Sequence, residues 1–347
     1  MGVRRRRTPT PHREVPMSTP LLSLHLSNHG SARETVDSVV RAEQSGIERV
    51  WLSEDLFYRG AIPIAAASLV STSRIGIGFG ILAPQHRHPA SLAMDIRTLT
   101  DLSPDRVTVG LGAGVAERAA LVGMPASPPL AIVSEAVSSL RTLLAGEVLD
   151  QGGVLHESAG LRLTGEVSGA VPPIFVAAVG PKALAQAGAG MDGVILTMMC
   201  SRAHASWAAG TVAEAAAAAA RPAVPVVAYL PIAVDADGAL AKQRMRGVLA
   251  DFIARWSKVG FLSKLFTEWS DLDDERMQRI ASAVASGDDL RDLVPDDLVD
   301  QFCIAGSPAE CRDLVEEFGR SGITEIALDP GGDIAGALEF VRDTTGS

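Results

Sequence analysis

Residues able to do chemistry stand just after three short apolar runs of this chain. Glu54 and Asp55 follow the run at 48–53, GLGAG closes a run at 110–114, and Gly-Pro-Lys stands at 180–182. A carboxylate at such a place could exchange a proton, if burial raised its pKa, or could hydrogen-bond a cofactor ring. Because neighbouring residues of a strand point to opposite sides, we expect only one of the two carboxylates to do so. A helix-capping or solvated acidic pair is the alternative.

The two glycine-containing segments indicate an anion site. Gly110, Gly112 and Gly114 lack side chains that would keep a ligand from the backbone. Pro181 and Lys182 mark a helix start, where free amides and the helix dipole favour phosphate. Either segment alone is also typical of a tight turn between a strand and a helix. Their occurrence after adjacent strands suggests a phosphorylated cofactor.

The segment GILAPQHRHP at 80–89 carries two histidines, His86 and His88. Two histidines at i and i+2 without an acidic or cysteine ligand nearby, in a chain lacking HExxH and CxxC, predict that there is no metal site. No GxSxG and no Walker A motif is present, which argues against a serine hydrolase and a P-loop enzyme, and no GxGxxG follows the first apolar run, where a dinucleotide-binding domain would carry it. His86 is a candidate for the substrate pocket, as are Ser27 and Thr197 at the ends of two other apolar runs. His88 precedes a proline and is expected to begin a helix.

Eight apolar runs, most of them preceded by a helix-like stretch and a glycine or proline, predict repeated βα units. They are Leu21 to Leu26, Glu48 to Ser53, Arg74 to Ile81, Arg106 to Leu111, Ile174 to Ala178, Gly193 to Thr197, Val224 to Leu230 and Ile323 to Leu328. Eight strands with intervening helices in 347 residues fit an α/β fold of the (β/α)₈ TIM-barrel type. An open doubly wound sheet is the rival, but no compact glycine fingerprint follows the first run. In a barrel, ligand groups come from the carboxyl ends of the strands, where the residues above stand.

We expect residues 1–16 to be a disordered tail and residues 17–347 to form a single barrel domain. Within it, residues 235–300 are charged, amphipathic and helical in pattern, which predicts a lid-like insertion at the C-terminal face. The aromatic residues of this insertion could line a pocket or simply fill a helical core.

The composition is typical of a globular protein that acts on small molecules. The net charge is −10, whereas a nucleic-acid-binding protein needs a basic face. No apolar run approaches the roughly 18–20 residues that cross a bilayer, so we expect no membrane partner. Three cysteines that form neither a CxxC pair nor an even framework predict reduced thiols and a cytoplasmic location.

Four segments carry a resemblance to a known family. They are AEQSGIERVWLSED at 42–55, TSRIGIGFGILAPQHRHPASLAMDIRTLTDLSPDRVTVGLGAG at 72–114, VPPIFVAAVGPKALAQAGAGMDGVIL at 171–196 and FCIAGSPAECRDLVEEFGRSGITEIALD at 302–329. In the same order they resemble the luciferase-like monooxygenase superfamily, in the branch of methylenetetrahydromethanopterin reductase and other enzymes that use the deazaflavin coenzyme F420. The second segment is the most specific, because RHP, TLxxLS and GxGxG stand in fixed order.

The resemblance implies a (β/α)₈ barrel that binds a flavin or deazaflavin at its C-terminal mouth, usually as a homodimer. It implies a cis peptide bond between Gly80 and Ile81 that bulges against the cofactor ring. The phosphate contacts that it implies map onto Gly112, Ala113 and Gly114 and onto Ala177, Ala178, Val179 and Gly180, the last beside Pro181 and Lys182.

The expected reaction is hydride transfer between C5 of coenzyme F420 and a small organic substrate, with Glu54 in a ring contact or proton role and Asp55 in reserve. Glu54 replaces the Asp of the methanopterin-type enzymes. The related sugar-phosphate dehydrogenases carry an Asp-His pair at the end of the second strand and a Glu after GxGxG, whereas this chain has Glu54-Asp55 and Val115. A sugar phosphate is therefore not the expected substrate. The alternatives are an FMN-dependent monooxygenase, using reduced flavin and oxygen, and a non-catalytic ligand-binding barrel.

Overall fold

The computed structural model describes residues 19–124, 128–165, 169–258 and 260–346, and the tail predicted at 1–16 lies outside them. Each of the eight predicted apolar runs forms a strand, and β5, β6 and β10 were not predicted. The strands are β1 (Leu21–Leu26), β2 (Arg49–Leu52), β3 (Gly76–Phe79), β4 (Val107–Leu111), β5 (Leu149–Gly152), β6 (Glu157–Leu161), β7 (Ile174–Ala177), β8 (Gly193–Met198), β9 (Val226–Val234), β10 (Ile304–Gly306) and β11 (Glu325–Asp329).

The main sheet closes on itself. Its strand order is β10-β9-β11-β1-β2-β3-β4-β7-β8, and β9 also pairs with β8. The pairs from β1 to β8 along this order are parallel, as the intervening helices require. The fold class is therefore the predicted (β/α)₈ barrel. Strand β10 adds to the end of β9, with Ile304 opposite Ile232, and β5 and β6 form a separate antiparallel hairpin.

Helices connect the strands. They are α1 (Ala32–Gln44), α2 (Ala61–Ser71), α3 (Pro89–Leu102), α4 (Ala116–Leu121), α5 (Pro129–Leu144), α6 (Pro181–Gly190), α7 (Arg202–Ala218), α8 (Gly238–Trp256), α9 (Gly260–Trp269), α10 (Asp274–Ser286), α11 (Asp296–Phe302), α12 (Pro308–Arg320) and α13 (Ile334–Thr345). Helix α1 begins with a reciprocal capping box between Ser31 and Glu34. His88 begins α3 as predicted, since its Nδ1 accepts the amide of Ala90 and Pro89 is the first helical residue. Within the described ranges, no helix is long and apolar enough to cross a membrane.

The chain divides into two compact units, and the boundaries fall within β1, β8 and α7 and just before β9. The first consists of Ser23–Ile195 with Ala215–Val224, and its core includes Leu24, Trp51 and Phe79, all fully buried. The second consists mainly of Leu196–Glu214 and Pro225–Gly346. Its core cluster includes Leu249, Phe266, Ile280 and Phe302. The single barrel domain predicted for 17–347 stays a prediction.

Residues 235–300 are helical, as the amphipathic pattern predicted, and contribute α8, α9, α10 and the start of α11. Phe266 is buried in the core cluster of the second unit. Trp269 is also buried and stacks on Trp207, with ring centroids 4.8 Å apart. These two aromatic side chains therefore fill a helical core. A lid role for the insertion stays a prediction.

Candidate active site

Strand β3 ends in a cis peptide bond between Gly80 and Ile81, as the resemblance implied. Hydrogen bonds hold the chain on both sides of this bond. The amide of Gly80 donates to the carbonyl of Leu52 at 2.9 Å, and the amide of Leu82 donates to the carbonyl of Gly110 at 2.8 Å. The chain on the two sides of this peptide is thus bonded to both neighbouring strands, β2 and β4, and Ile81 lies at the carboxyl edge of the strands.

Three of the predicted cofactor-binding residues meet at this edge. A Cβ on Gly112 would lie 3.0 Å from the side chains of both Ile81 and Ala177. A Cβ on Gly110 would lie 1.8 Å from the carbonyl oxygen of Phe79, so only glycine fits there. The first two glycines of GLGAG are therefore explained by close packing of β4 against its neighbours. The predicted close approach of a ligand is not needed to account for them.

The end of the GLGAG segment is fixed by Gln85. Gly114 has a φ of 65°, in the left-handed region that favours glycine. The Nε2 of Gln85 donates to the carbonyl of Ala113. The Oε1 of this buried amide has no hydrogen-bond partner among the described residues. Gln85 thus ties the loop after β3 to the loop after β4.

The start of α6 is open. Gly180 is the N-cap residue, makes no side-chain cap, and has no atom within 4 Å of the position where a Cβ would be. Gly180, Pro181 and Lys182 are exposed, whereas the preceding Ala178 is buried. The first amides of a helix have no partner within the helix and carry the positive end of its dipole. Of the two segments predicted to bind phosphate, this one has open space beside its N-cap residue.

Glu54 is held by two partners. Its carboxylate accepts hydrogen bonds from both terminal nitrogens of Arg87, one of them from Nη2 to Oε2 at 2.9 Å. Oε2 also accepts a hydrogen bond from the amide of Ala61 at 3.0 Å. Ala61 is the first residue of α2, so the charge also lies at a favourable helix end. The Glu54 side chain is 7% exposed. Its hydrogen bonds raise the pKa of Arg87, although burial of the guanidinium acts in the opposite direction.

Asp55 has quite different surroundings. Its Oδ2 lies 2.9 Å from Nε2 of His29, and its Oδ1 accepts Nη1 of Arg118 at 2.7 Å. The imidazole of His29 stacks on Tyr58, with ring centroids 3.9 Å apart. The buried amide of Asn28 fixes the backbone beneath this group, because it donates to the carbonyl of Asp55 and accepts its amide. The Asp55 side chain is 40% exposed and open to a ligand.

A buried histidine supports the cis bond. The Nε2 of His25 bonds to the hydroxyl of Ser53, and that hydroxyl donates to the carbonyl of Gly80 at 3.3 Å. His25 is buried and was not singled out in the sequence.

The three residues predicted to face the substrate lie in different surroundings. Ser27 is exposed just after β1, and Thr197 is half-buried near the end of β8. His86 is half-buried in the loop after β3, and its Nδ1 has no partner among the described residues. Burial lowers the pKa of His86, against the opposing effect of Glu54. No cluster of three metal-ligating side chains occurs in the described part of the chain, and the absence of a metal stays a prediction.

Sequence reasoning missed the partners of both carboxylates. Arg87 was visible only as part of the RHP motif, and Arg118 follows GLGAG by four residues without any motif of its own. His29 lies two residues after Ser27, at a strand end that the sequence did identify. Its position just after the first strand was the one feature of the sequence that could have identified His29 as a site residue.

The chain has recognisable relatives. A sequence model of the family described as luciferase-like monooxygenase matches residues 14–325. The 5,10-methylenetetrahydromethanopterin reductase of Methanolobus tindarius is 29% identical over 290 residues, which cover 82% of this chain and 86% of that protein. The F420-dependent glucose-6-phosphate dehydrogenase of Beutenbergia cavernae is 27% identical over 323 residues, covering 88% and 90%. The structure of the coenzyme F420 dependent tetrahydromethanopterin reductase from Methanopyrus kandleri superposes with a TM-score of 0.82 at 23% identity, covering 94% and 98%.

Proposed function

Because the chain belongs to the luciferase-like monooxygenase family, we propose that it is an oxidoreductase that transfers a hydride between coenzyme F420 and a small organic substrate. It is an enzyme of this superfamily. The observation that carries the choice of cofactor is the relative named as F420-dependent, which matches 88% of the chain. The substrate is left unnamed, because the matched relatives act on different compounds.

The residues at the carboxyl edge of the first unit fit such a cofactor. Ile81, Gly112 and Ala177 form a small apolar contact surface against which a planar ring could pack. The open N-cap at Gly180 and the exposed Lys182 suit a phosphate group, since no atom lies within 4 Å of the position that a Cβ of Gly180 would take. The remaining proposed cofactor contacts are Gly80, Ala113, Gly114, Ala178, Val179 and Pro181.

When bound, the deazaflavin supplies the ring carbon C5 that accepts or donates the hydride. The chain's own residues orient the ring and exclude water from it. Glu54 is fixed by Arg87 and by the amide of Ala61. Its ring contact stays a proposal. Ser27, His86 and Thr197 stay the proposed substrate-facing residues.

Cofactor titration tests this proposal. Purified chain is titrated separately with oxidised F420 and with FMN, and binding is followed by the fluorescence of each cofactor. We expect saturable F420 binding at one site per chain and weaker FMN binding. Tight FMN binding without F420 binding would instead favour the flavin-dependent monooxygenase, and binding of neither would favour the non-catalytic barrel.

Two further expectations belong to this proposal. A homodimer is expected from the family resemblance, and sedimentation equilibrium of the purified chain measures the assembly directly. A cytoplasmic location is expected from the pattern of cysteines. Fractionation of cells that express the chain checks it.

A further inference from the structure

The two carboxylates after β2, Glu54 and Asp55, differ in how accessible their oxygen atoms are to a ligand. Both oxygens of Glu54 are already engaged, by Arg87 and by the amide of Ala61, and the side chain is nearly buried. A carboxylate bonded at both oxygens to a guanidinium can take up a proton only by breaking that pair. Proton exchange at this edge therefore needs another group.

His29 has the geometry of such a group. An ionised carboxylate is acceptor-only, so in the contact with Oδ2 of Asp55 the proton is carried by Nε2 of His29. A neutral imidazole with its proton on Nε2 has a lone pair on Nδ1. No hydrogen bond joins Nδ1 to any residue in the described ranges. The free nitrogen of His29 is thus a base.

Several contacts orient this base. Tyr58 stacks on the imidazole at 3.9 Å with an angle of 24° between the rings, which fixes the ring plane. Arg59 donates to the carbonyl of His29 at 2.5 Å, and Asn28 holds the backbone of Asp55. The side chain of His29 is nevertheless 44% exposed. An imidazole held by a carboxylate and still open to a ligand has the arrangement expected of a general acid or base.

We propose that His29 is the catalytic residue that exchanges the proton accompanying hydride transfer, with Nδ1 as the reacting atom and Asp55 as its positioning residue. The proposal rests on the proposed function for the identity of the hydride acceptor. In oxidation, the substrate loses a hydride from carbon to F420 and a proton from its adjacent O–H or N–H to Nδ1, and a double bond forms between the two atoms. In reduction, both transfers are reversed. The substrate class is a compound with such an X–H bond, or its carbonyl or imine counterpart.

The test uses a probe that needs neither the cofactor nor the natural substrate. p-Nitrophenyl acetate acetylates basic imidazoles: a bond forms from the ring nitrogen to the acetyl carbon, p-nitrophenolate leaves, and the Nε2 proton is released. We expect the full-length protein to be acetylated at His29, which peptide mass spectrometry locates without any variant. His29→Gln should lower the acetylation rate of the native protein at least about tenfold.

The positioning role of Asp55 has its own measurement. Asp55→Asn should shift the proton of His29 away from Nε2, which ¹⁵N spectra of histidine-labelled protein detect, and should slow acetylation of His29 about tenfold or more. Asp55→Glu, which keeps an acceptor-only group, should restore part of the rate. His88→Asn serves as the matched control, since asparagine also caps helices, and should leave acetylation of His29 unchanged.

Acetylation in the presence of F420 tests the role of His29 and the choice of F420 as cofactor independently. Bound F420 should slow acetylation of His29, because both would occupy the same edge. Acetylation at other histidines only, or F420 that binds without changing the acetylation of His29, would overturn the role of His29. Failure of F420 to bind, together with fast acetylation of His29, would overturn the proposed cofactor and leave His29 as the base.

Discussion

Arg87 and Glu54, which are 33 residues apart in the chain, form a two-point ion pair that joins the loop after β3 to the loop after β2. Arg87 is 25% exposed and Glu54 is 7% exposed, so water cannot replace either partner fully. We predict that Arg87→Met lowers the free energy of unfolding by about 2–4 kcal/mol, because it leaves a buried carboxylate unpaired. Urea unfolding of the purified variant measures this loss.

An exposed ion pair provides the control for Arg87→Met. Arg244 pairs with Asp235 at 2.9 Å, but its side chain is 49% exposed. Arg244→Met removes the same charge and should cost less than about 1 kcal/mol. Equal losses in the two variants would show that the Arg87 pair is no stronger than an ordinary surface pair.

Substitutions at Gly180 should affect the stability of α6 and the binding of an anion in opposite directions. The backbone of Gly180 is extended and no atom lies within 4 Å of the position that a Cβ would take, so Gly180→Asp should cap α6 and stabilise the protein by about 0.5 kcal/mol. The same carboxylate would stand where we propose the phosphate, and F420 binding should weaken at least about tenfold. Thermal unfolding and fluorescence titration measure the two effects.

Gly180→Asn is the uncharged counterpart of Gly180→Asp. Asparagine caps the helix through a neutral oxygen, so it should give a similar gain in stability. F420 affinity should fall less than about threefold, since no like charge meets the phosphate. An aspartate variant that binds F420 as tightly as the native chain would place the phosphate elsewhere.

The barrel could be predicted because each of its strands is a locally apolar run. The hairpin of β5 and β6 could not, since its strands contain Asp150, Gln151 and Glu157 and lack an alternating apolar pattern. A tertiary contact holds its turn instead. The carboxylate of Glu135 on α5 accepts the amides of Leu155 and of His156 in that turn.

The sequence predicted where the two carboxylates of the site lie, but not which side chains they pair with. Residue types after each strand located Glu54 and Asp55, because the carboxyl ends of parallel strands form one edge. Which partner each carboxylate takes depends on loop paths that no local pattern encodes. Asn28 illustrates this dependence, since it bonds the backbone of Asp55 and so brings His29 within reach.

The three cysteines should be inert in the native protein. Cys200, Cys303 and Cys311 are free and buried, and burial raises the pKa of Cys200 from 9.0 to about 12. At pH 8 a shift of this size leaves about a thousandfold less thiolate, which is the species that reacts. We predict no labelling by iodoacetamide in native conditions and labelling of all three thiols in urea, as counted by mass spectrometry. A thiol that labels quickly in the native chain would contradict this.

The same burial makes stability depend on alkaline pH. Burial raises the pKa of Cys311 to about 12 from an ordinary value of 9.0, so the unfolded thiol ionises at a lower pH than the folded one. The contribution to stability is full below pH 9.0 and is lost as the pH rises towards 12. Cys311→Ala should make the free energy of unfolding fall less steeply across this window. Urea unfolding at a series of alkaline pH values measures the slope.

Two half-buried histidines predict a loss of stability in mild acid. Burial lowers the pKa of His86, and burial together with the neighbouring His88 lowers that of His156, both from an ordinary value of 6.5. Between the folded and unfolded pKa values the unfolded chain binds more protons, so stability is full above pH 6.5 and falls as the pH drops below it. Hydrogen bonds from Ser31 lower the pKa of Glu34 from 4.5. Titration of Glu34 therefore changes stability only at a lower pH than that of the two histidines. The double variant His86→Asn, His156→Asn should therefore flatten the dependence of unfolding free energy on pH between about 6.5 and 5, measured by urea unfolding. If the slope in that window were unchanged, other groups would be responsible for it.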